Sequence, residues 1–213
     1  MRRLGVPWGV VGICVLWLGA LTASFFVLLR YKNTPVLERA APATWPAGSV
    51  MDHDRHRPTL LMFAHPRCGC TRASIGELAV LMASSQGLVS AHVFLYRPRS
   101  GAPDWAHGEI FDSAAAIPGV TVHEDEDGRQ ARLFLSQASG HTLLYGAQGE
   151  LLFDGGITAS RGHAGDSAGR DALTALIHNR PAAQTRTAVF GCLIHSDELN
   201  ETKADCGDRP CTR

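Results

Sequence analysis

Thr59-Leu60-Leu61-Met62-Phe63-Ala64-His65-Pro66-Arg67-Cys68-Gly69-Cys70-Thr71-Arg72-Ala73-Ser74 is the stretch whose reading decides the fold. Thr59 to Ala64 is a short apolar run of the kind a buried central strand carries, and His65-Pro66 ends it. From Thr71 onward, Ile75, Leu78, Ala79 and Met82 recur at helical spacing, with Gly87 as the C-cap. Two cysteines therefore stand between the end of a buried strand and the start of a helix. The helix dipole there favours thiolate over thiol, and Arg67 and Arg72 add positive charge. The arrangement suits disulfide exchange, with Cys68 expected as the more exposed, attacking sulfur and Cys70 as the resolving one. An inert structural pair is the competing reading.

Further along the chain, Leu88 to Tyr96 reads as a second strand, followed by a Gly/Pro-containing loop to Gly108 and a short helix from Glu109 to Ala116. A strand-helix-strand unit of this length favours a parallel sheet. Val120 to Val122 is a third strand running into the acidic stretch Glu124-Asp125-Glu126-Asp127, read as a solvated turn, and Gly128 to Leu135 reads as a helix. Thr142 to Tyr145 and Leu151 to Phe153 flank a Gly-containing turn as a hairpin that Gly155-Gly156 closes. A loop bearing Arg161, His163 and Asp166 comes next, with Asp166 or Ser167 available to cap a last helix containing Leu173, Leu176 and Ile177. The expected fold class is α/β, a central mixed sheet flanked by helices.

The folded domain spans 59–180. Before it, the uncharged window Leu4 to Leu29 is long enough to cross a hydrocarbon core, so 1–30 reads as a transmembrane anchor. The apolar run continues past Ala23 through Leu29, which favours an uncleaved anchor over a cleaved signal peptide. The segment 31–58 carries Pro35, Pro42, Pro46 and Pro58 without apolar period and reads as an extended linker. Residues 181–213 read as an irregular tail holding Cys192, Cys206 and Cys211, which form either a structural disulfide with one thiol left over or a pair that passes electrons to the site. Cys14 lies in the anchor as a small apolar residue. With 20 basic and 20 acidic residues and no Lys/Arg stripe, nucleic acid is excluded as a partner. Five of the six cysteines lie beyond the anchor, which favours an oxidising compartment. The chain is thus expected in the bacterial cytoplasmic membrane as a single-pass protein, its domain facing the periplasm or cell exterior.

The order of elements resembles the thioredoxin fold. The segments Val122 to Arg132 and Thr142 to Leu152 resemble parts of membrane-tethered cytochrome-maturation thioredoxins and peroxiredoxins, families that work outside the cytoplasm. A tighter resemblance, from about Thr59 to Cys192, is to RedB-type thioredoxin-like proteins. It is carried by Phe63 to Ser74, by Gly155 to Asp166, and by Phe190-Gly191-Cys192. These resemblances imply a tethered thioredoxin-like domain and leave the mechanism to the residues.

Two departures from a thioredoxin pattern bear on that mechanism. One residue rather than two separates Cys68 from Cys70, making a tighter ring that oxidises its partners more readily. In place of the cis-proline that precedes the hairpin strand, the aligned position holds His141 after Gly140. His141 and His65 are candidates to assist Cys68 and Cys70 in catalysis, His141 as an activating base. The first reading is a membrane-tethered extracytoplasmic thiol-disulfide oxidoreductase that needs no cofactor and exchanges with a protein thiol or disulfide partner. The alternative is a copper- or zinc-binding, metallochaperone-like protein holding Cu or Zn through Cys68, Cys70, His65 and His141. A domain that keeps the fold without chemistry is the third class.

Overall fold

The computed structural model describes residues 7–36 and 39–194. It divides the chain into two compact units, Met1–Thr34 and Pro35–Arg213. In the first, α1 (Trp8–Lys32) starts directly after Pro7, whose missing N–H is no loss at a helix start. Its side chains are all exposed. The hydroxyls of Thr22 and Ser24 return to the carbonyls of Leu18 and Ala20 at 2.8 Å, so neither presents an unpaired polar group to an apolar surrounding. Among the described residues, α1 is the one helix long and apolar enough to cross a membrane.

The second unit runs β1 (Thr59–Ala64), α2 (Thr71–Ser84), β2 (Ser90–Arg97), α3 (Glu109–Ala115), β3 (Val120–Glu126), α4 (Arg129–Leu133), β4 (His141–Tyr145), β5 (Leu151–Gly156) and α5 (Ala168–Ile177). The sheet order is β3-β2-β1-β4-β5. β1, β2 and β3 are parallel, while β4 pairs antiparallel with both β1 and β5. The fold is thioredoxin-like.

β1 is central and buried throughout, as its unbroken apolar run requires. Leu60, Met62 and Ala64 face one layer, with Ile75, Leu78 and Leu81 of α2 and Leu173 and Ile177 of α5. Leu61 and Phe63 face the other, with Phe94, Phe134, Leu143 and Tyr145. Each of the large side chains buried here contributes about 1.5–3 kcal/mol. The end of β1 is thereby a rigid platform for the turn that bears the cysteines.

β3 reaches Glu126, past the expected end at Val122, because the acidic stretch is not a free turn. Arg97 of β2 pairs with Glu124 at 2.7 Å and with Glu126 at 3.1 Å across the parallel ladder. Asp125 is buried and accepts from the N–H groups of Gln130 and Ala131 at 2.8 and 2.9 Å, capping α4.

Two segments expected to be loose are docked. Within 31–58, Trp45 packs edge-on against Phe134 and Tyr145 at 5.2 Å, and its backbone N–H donates to the Gly149 carbonyl at 2.7 Å. The Tyr145 hydroxyl donates to the Pro42 carbonyl at 2.9 Å, and the Gln130 side chain accepts from Ser49. In the tail, Val189 bridges Val36, Leu193 bridges Ala138, and Val189 and Ile194 are buried. Isolated bridges have no period, so no sequence pattern marks them. Cys206 and Cys211 lie outside the described residues.

Asp154 of β5 joins both segments to the sheet. Its carboxylate accepts from His141 Nε2 at 2.8 Å and from the Ala41 N–H at 3.2 Å, with Arg186 at 3.4 Å. Burial acts to raise its pKa, but the His141 hydrogen bond and the neighbouring donors outweigh it and hold the carboxyl below its usual value. If the docked segment belongs to the fold, Trp45→Ala should lower the unfolding free energy of the full chain by about 2 kcal/mol, less than loss of a fully buried tryptophan. Urea unfolding followed by circular dichroism measures this, and a free spacer would leave the midpoint where it was.

Candidate functional site

The turn between β1 and α2 is closed by its own backbone. The Cys68 N–H donates to the His65 carbonyl at 3.1 Å, and the Thr71 N–H donates to the Cys68 carbonyl at 3.0 Å. Cys70 is the N-cap residue of α2. The Thr71 hydroxyl donates to the His65 carbonyl at 3.1 Å. With that proton committed, Ser139 donates to Thr71 Oγ1 at 2.6 Å and accepts the His65 N–H at 3.0 Å. Gly140 comes next with φ +89°, and a Cβ there would stand 2.7 Å from Ser74 Oγ, so the position requires glycine. No cis peptide occurs among the described residues.

The backbone of Ser139 also receives the C-terminal segment. Its N–H donates to the Cys192 carbonyl at 2.8 Å, and two residues on the Ile194 N–H donates to Gln137 at 2.9 Å. Arg161 donates to the Gly191 carbonyl. A Cβ at Gly191 would collide with the Ser139 carbonyl, so this crossing too is glycine-dependent. The result is that Cys192 Sγ lies 2.7 Å from Cys68 Sγ. The sulfurs of Cys68, Cys70 and Cys192 all lie within 4.8 Å of one another.

The three thiols are not equivalent. The hydrogen bond from Cys192 draws the Cys68 pKa down to about 4, against the opposing effect of burial and with help from the backbone N–H groups of Cys192 and Cys70. Burial and the negative charge on Cys68 push Cys70 up. Cys192 goes up as well, because its proton serves Cys68 and because it is partly buried. Arg161 opposes the rise at both. In the reduced site one thiolate is held at Cys68, and its neighbours keep their protons.

Several expectations are corrected by this geometry. Cys68 is the more deeply buried sulfur, at 4% exposure, while Cys70 and Cys192 are half-buried. Among the described residues the group of mutually close donors consists of three sulfurs, with neither His65 nor His141 in it. By strand alternation His141 shares the face of Leu143 and Tyr145, whereas α2 packs on the face of Met62 and Ala64, and the imidazole is directed at Asp154. His65 is buried, accepts the Arg67 N–H at Nδ1, 3.2 Å away, and stacks on Tyr96 with ring centroids 5.6 Å apart. The Arg67 guanidinium lies over Trp105 at 4.2 Å, and Arg72 pairs with exposed Glu109. The positive charge felt by Cys70 and Cys192 comes instead from Arg161. The loop after β5 is braced by another pair, Glu77 of α2 with Arg170 of α5, and Glu77 also accepts the Gly165 N–H at 2.6 Å. Ser167 caps α5.

No protein-family model and no curated protein matches the chain. Among solved structures, a hypothetical protein from Sinorhizobium meliloti superposes with a TM-score of 0.57 at 15% identity, over 74% of this chain and 96% of that one. An uncharacterised conserved protein from Geobacillus kaustophilus gives 0.56 at 20% identity, over 76% and 93%. A secreted disulfide oxidoreductase of Mycobacterium tuberculosis overlaps 58% of this chain and 81% of its own at 18% identity, with a TM-score of 0.39, too loose a superposition to speak to function.

A depressed pKa means the thiolate is present above about pH 4 and lost as pH falls through that value. The thiolate ultraviolet absorbance of the reduced chain should therefore persist for one cysteine through mildly acidic pH and titrate near 4. Cys192→Ala removes the principal donor and should shift that midpoint upward by about two units or more, as expected when a hydrogen bond to a buried charge is lost, each unit being about 1.4 kcal/mol.

Proposed function

We propose that this chain is a membrane-tethered thiol-disulfide oxidoreductase whose site is the cysteine cluster at the Cys68-Gly69-Cys70 turn, with Cys68 as the principal sulfur. The observation that carries the reading is a hydrogen-bonded thiolate at the mouth of β1 with two further thiols beside it. Disulfide exchange requires a thiolate and a second sulfur within reach of it, and a stabilised thiolate is also the better leaving group. The thioredoxin-like fold supplies a rigid sheet end and helix start on which to hold them. RedB-type membership, suggested by Phe63 to Ser74, Gly155 to Asp166 and Phe190-Gly191-Cys192, supports the tethered thioredoxin-like domain and leaves the activity to the residues. α1 is proposed as the uncleaved anchor in a bacterial cytoplasmic membrane, with the domain on the periplasmic or outer side, where cysteines cycle between thiol and disulfide.

A second reading is favoured by the same sulfur triad. Three sulfurs within 4.8 Å of one another, deprotonated on binding, are soft donors suited to Cu(I), or to Zn(II) with a fourth ligand. In this form of the metallochaperone-like reading, Cys192 replaces His65 and His141 as ligand.

The two are separated with the full chain in detergent micelles, by following oxidation of a fluorescent dithiol peptide beside a Cu(I) competition titration against a coloured chelator. Cys68→Ser should reduce exchange by more than about 100-fold. Undiminished exchange in that variant removes the first reading; tight Cu(I) binding in a chain that does not exchange establishes the second. Topology is tested by fusing to the C-terminus a reporter active only outside the cytoplasm, and an intact but inactive fusion reverses the proposed orientation.

A further inference from the structure

The chain holds a third cysteine at the site, and the geometry points to a role for it that differs from that of either member of the Cys68-Gly69-Cys70 loop. We propose that the working disulfide joins Cys68 to Cys192, and that Cys192 is the sulfur attacked by an incoming protein thiolate while Cys68 departs. The inference rests on the oxidoreductase reading and specifies its substrate class as a protein dithiol, from which the site accepts electrons.

Three observations carry it. Cys192 Sγ lies 2.7 Å from Cys68 Sγ, although the two residues are 124 positions apart in sequence. Nothing local in the chain produces that approach. It is produced by the Ser139 N–H on the Cys192 carbonyl, Arg161 on the Gly191 carbonyl, and the glycine at 191 that allows the two backbones to cross. Such anchoring on both sides fixes a side chain within the tolerance that exchange chemistry needs.

Exposure assigns the direction of attack. Cys68 is 4% exposed and lies beneath the segment carrying Cys192, whereas Cys192 is half-buried and reachable from solvent. An incoming thiolate meets Cys192 first. The sulfur behind it stands two residues before the N-cap of α2, where the helix start favours the charge it takes up on leaving.

The step balances. A substrate thiolate attacks Cys192 Sγ of the Cys68–Cys192 disulfide; an S–S bond forms between substrate and Cys192, and the Cys68–Cys192 bond breaks with its electron pair left on Cys68. The second substrate thiol, deprotonated, attacks the substrate sulfur of the mixed disulfide, and Cys192 leaves as thiolate and takes up the proton. The substrate is oxidised to a disulfide and the site is reduced to one thiolate at Cys68 with a thiol at Cys192. A small-molecule disulfide such as oxidised glutathione restores the bond with the reverse electron balance. Cys70 is left as a spare thiol that can form its own bond to Cys68 when Cys192 is absent.

The experiment uses the full chain in detergent, oxidised with glutathione disulfide, quenched in acid, alkylated and digested with trypsin. Cleavage places Cys68 and Cys70 together in the peptide Cys68–Arg72, Cys192 in Thr187–Lys203, and Cys206 with Cys211 in a separate peptide. The expected product is Cys68–Arg72 joined to Thr187–Lys203. In the Cys70→Ser variant that cross-link should persist, and brief treatment with a monothiol should leave its mixed disulfide on Thr187–Lys203. Cys192→Ser should slow oxidation by about tenfold or more, the loss expected when a positioned reacting group is removed. Cys68–Arg72 recovered alone, lighter by two hydrogens, with Cys192→Ser as active as wild type, overturns this inference and leaves the oxidoreductase reading standing. A mixed disulfide found on Cys68–Arg72 overturns the assigned direction of attack. A wild-type chain that forms no site disulfide and oxidises no dithiol overturns the reading on which the inference rests.

Discussion

The hydroxyl of Ser139 ties the His65 N–H to Thr71, fixing the loop that carries Cys68 and Cys70, and the backbone N–H of the same residue carries the segment that brings in Cys192. One residue thus fixes both halves of a site whose halves come from opposite ends of the domain. It does so from the turn before β4. Here the neighbouring Gly140, with its left-handed φ, takes the close approach to Ser74, and the cysteine loop is held by side-chain hydrogen bonds rather than by a proline ring.

The electrostatics depend on that assembly. A buried thiolate is costly unless hydrogen bonds receive its charge. At Cys68 they do, and the largest contribution is from Cys192, so the low pKa is a property of the docked C-terminal segment more than of the helix start. The helix dipole points to the right sulfur but is an incomplete cause. Arg161 acts on the other two thiols, and by holding the Gly191 carbonyl it also keeps the segment in place.

Much of the fold was legible because it is written in local patterns: the apolar run of β1, the helical spacing of α2, the hairpin at β4 and β5, the Ser167 cap. The apolar length of α1 was legible for the same reason. What the sequence did not reveal is long-range and aperiodic. Trp45 finds its aromatic partners far along the chain, at Phe134 and Tyr145, and Cys192 lies among residues with no repeating pattern. His141 was misplaced for a different reason: it was read as preceding the hairpin strand, whereas it is the first residue of β4, and only the register shows that the imidazole falls on the side of Asp154. The recognisable triplet Phe190-Gly191-Cys192 was the one local sign that the tail mattered.

The separation of Cys68 and Cys192 by 124 positions has a thermodynamic side. A bond between them ties off almost the whole folded domain as one loop, and on the chain-entropy model a closure of that length removes freedom from the unfolded ensemble amounting to about 5 kcal/mol. A bond between Cys68 and Cys70 encloses a single residue and on the same model removes only about 1.5 kcal/mol. The oxidation state of the site is then also a setting of the domain's resistance to unfolding and proteolysis: electrons delivered to the sulfurs loosen the clasp on the chain that receives them.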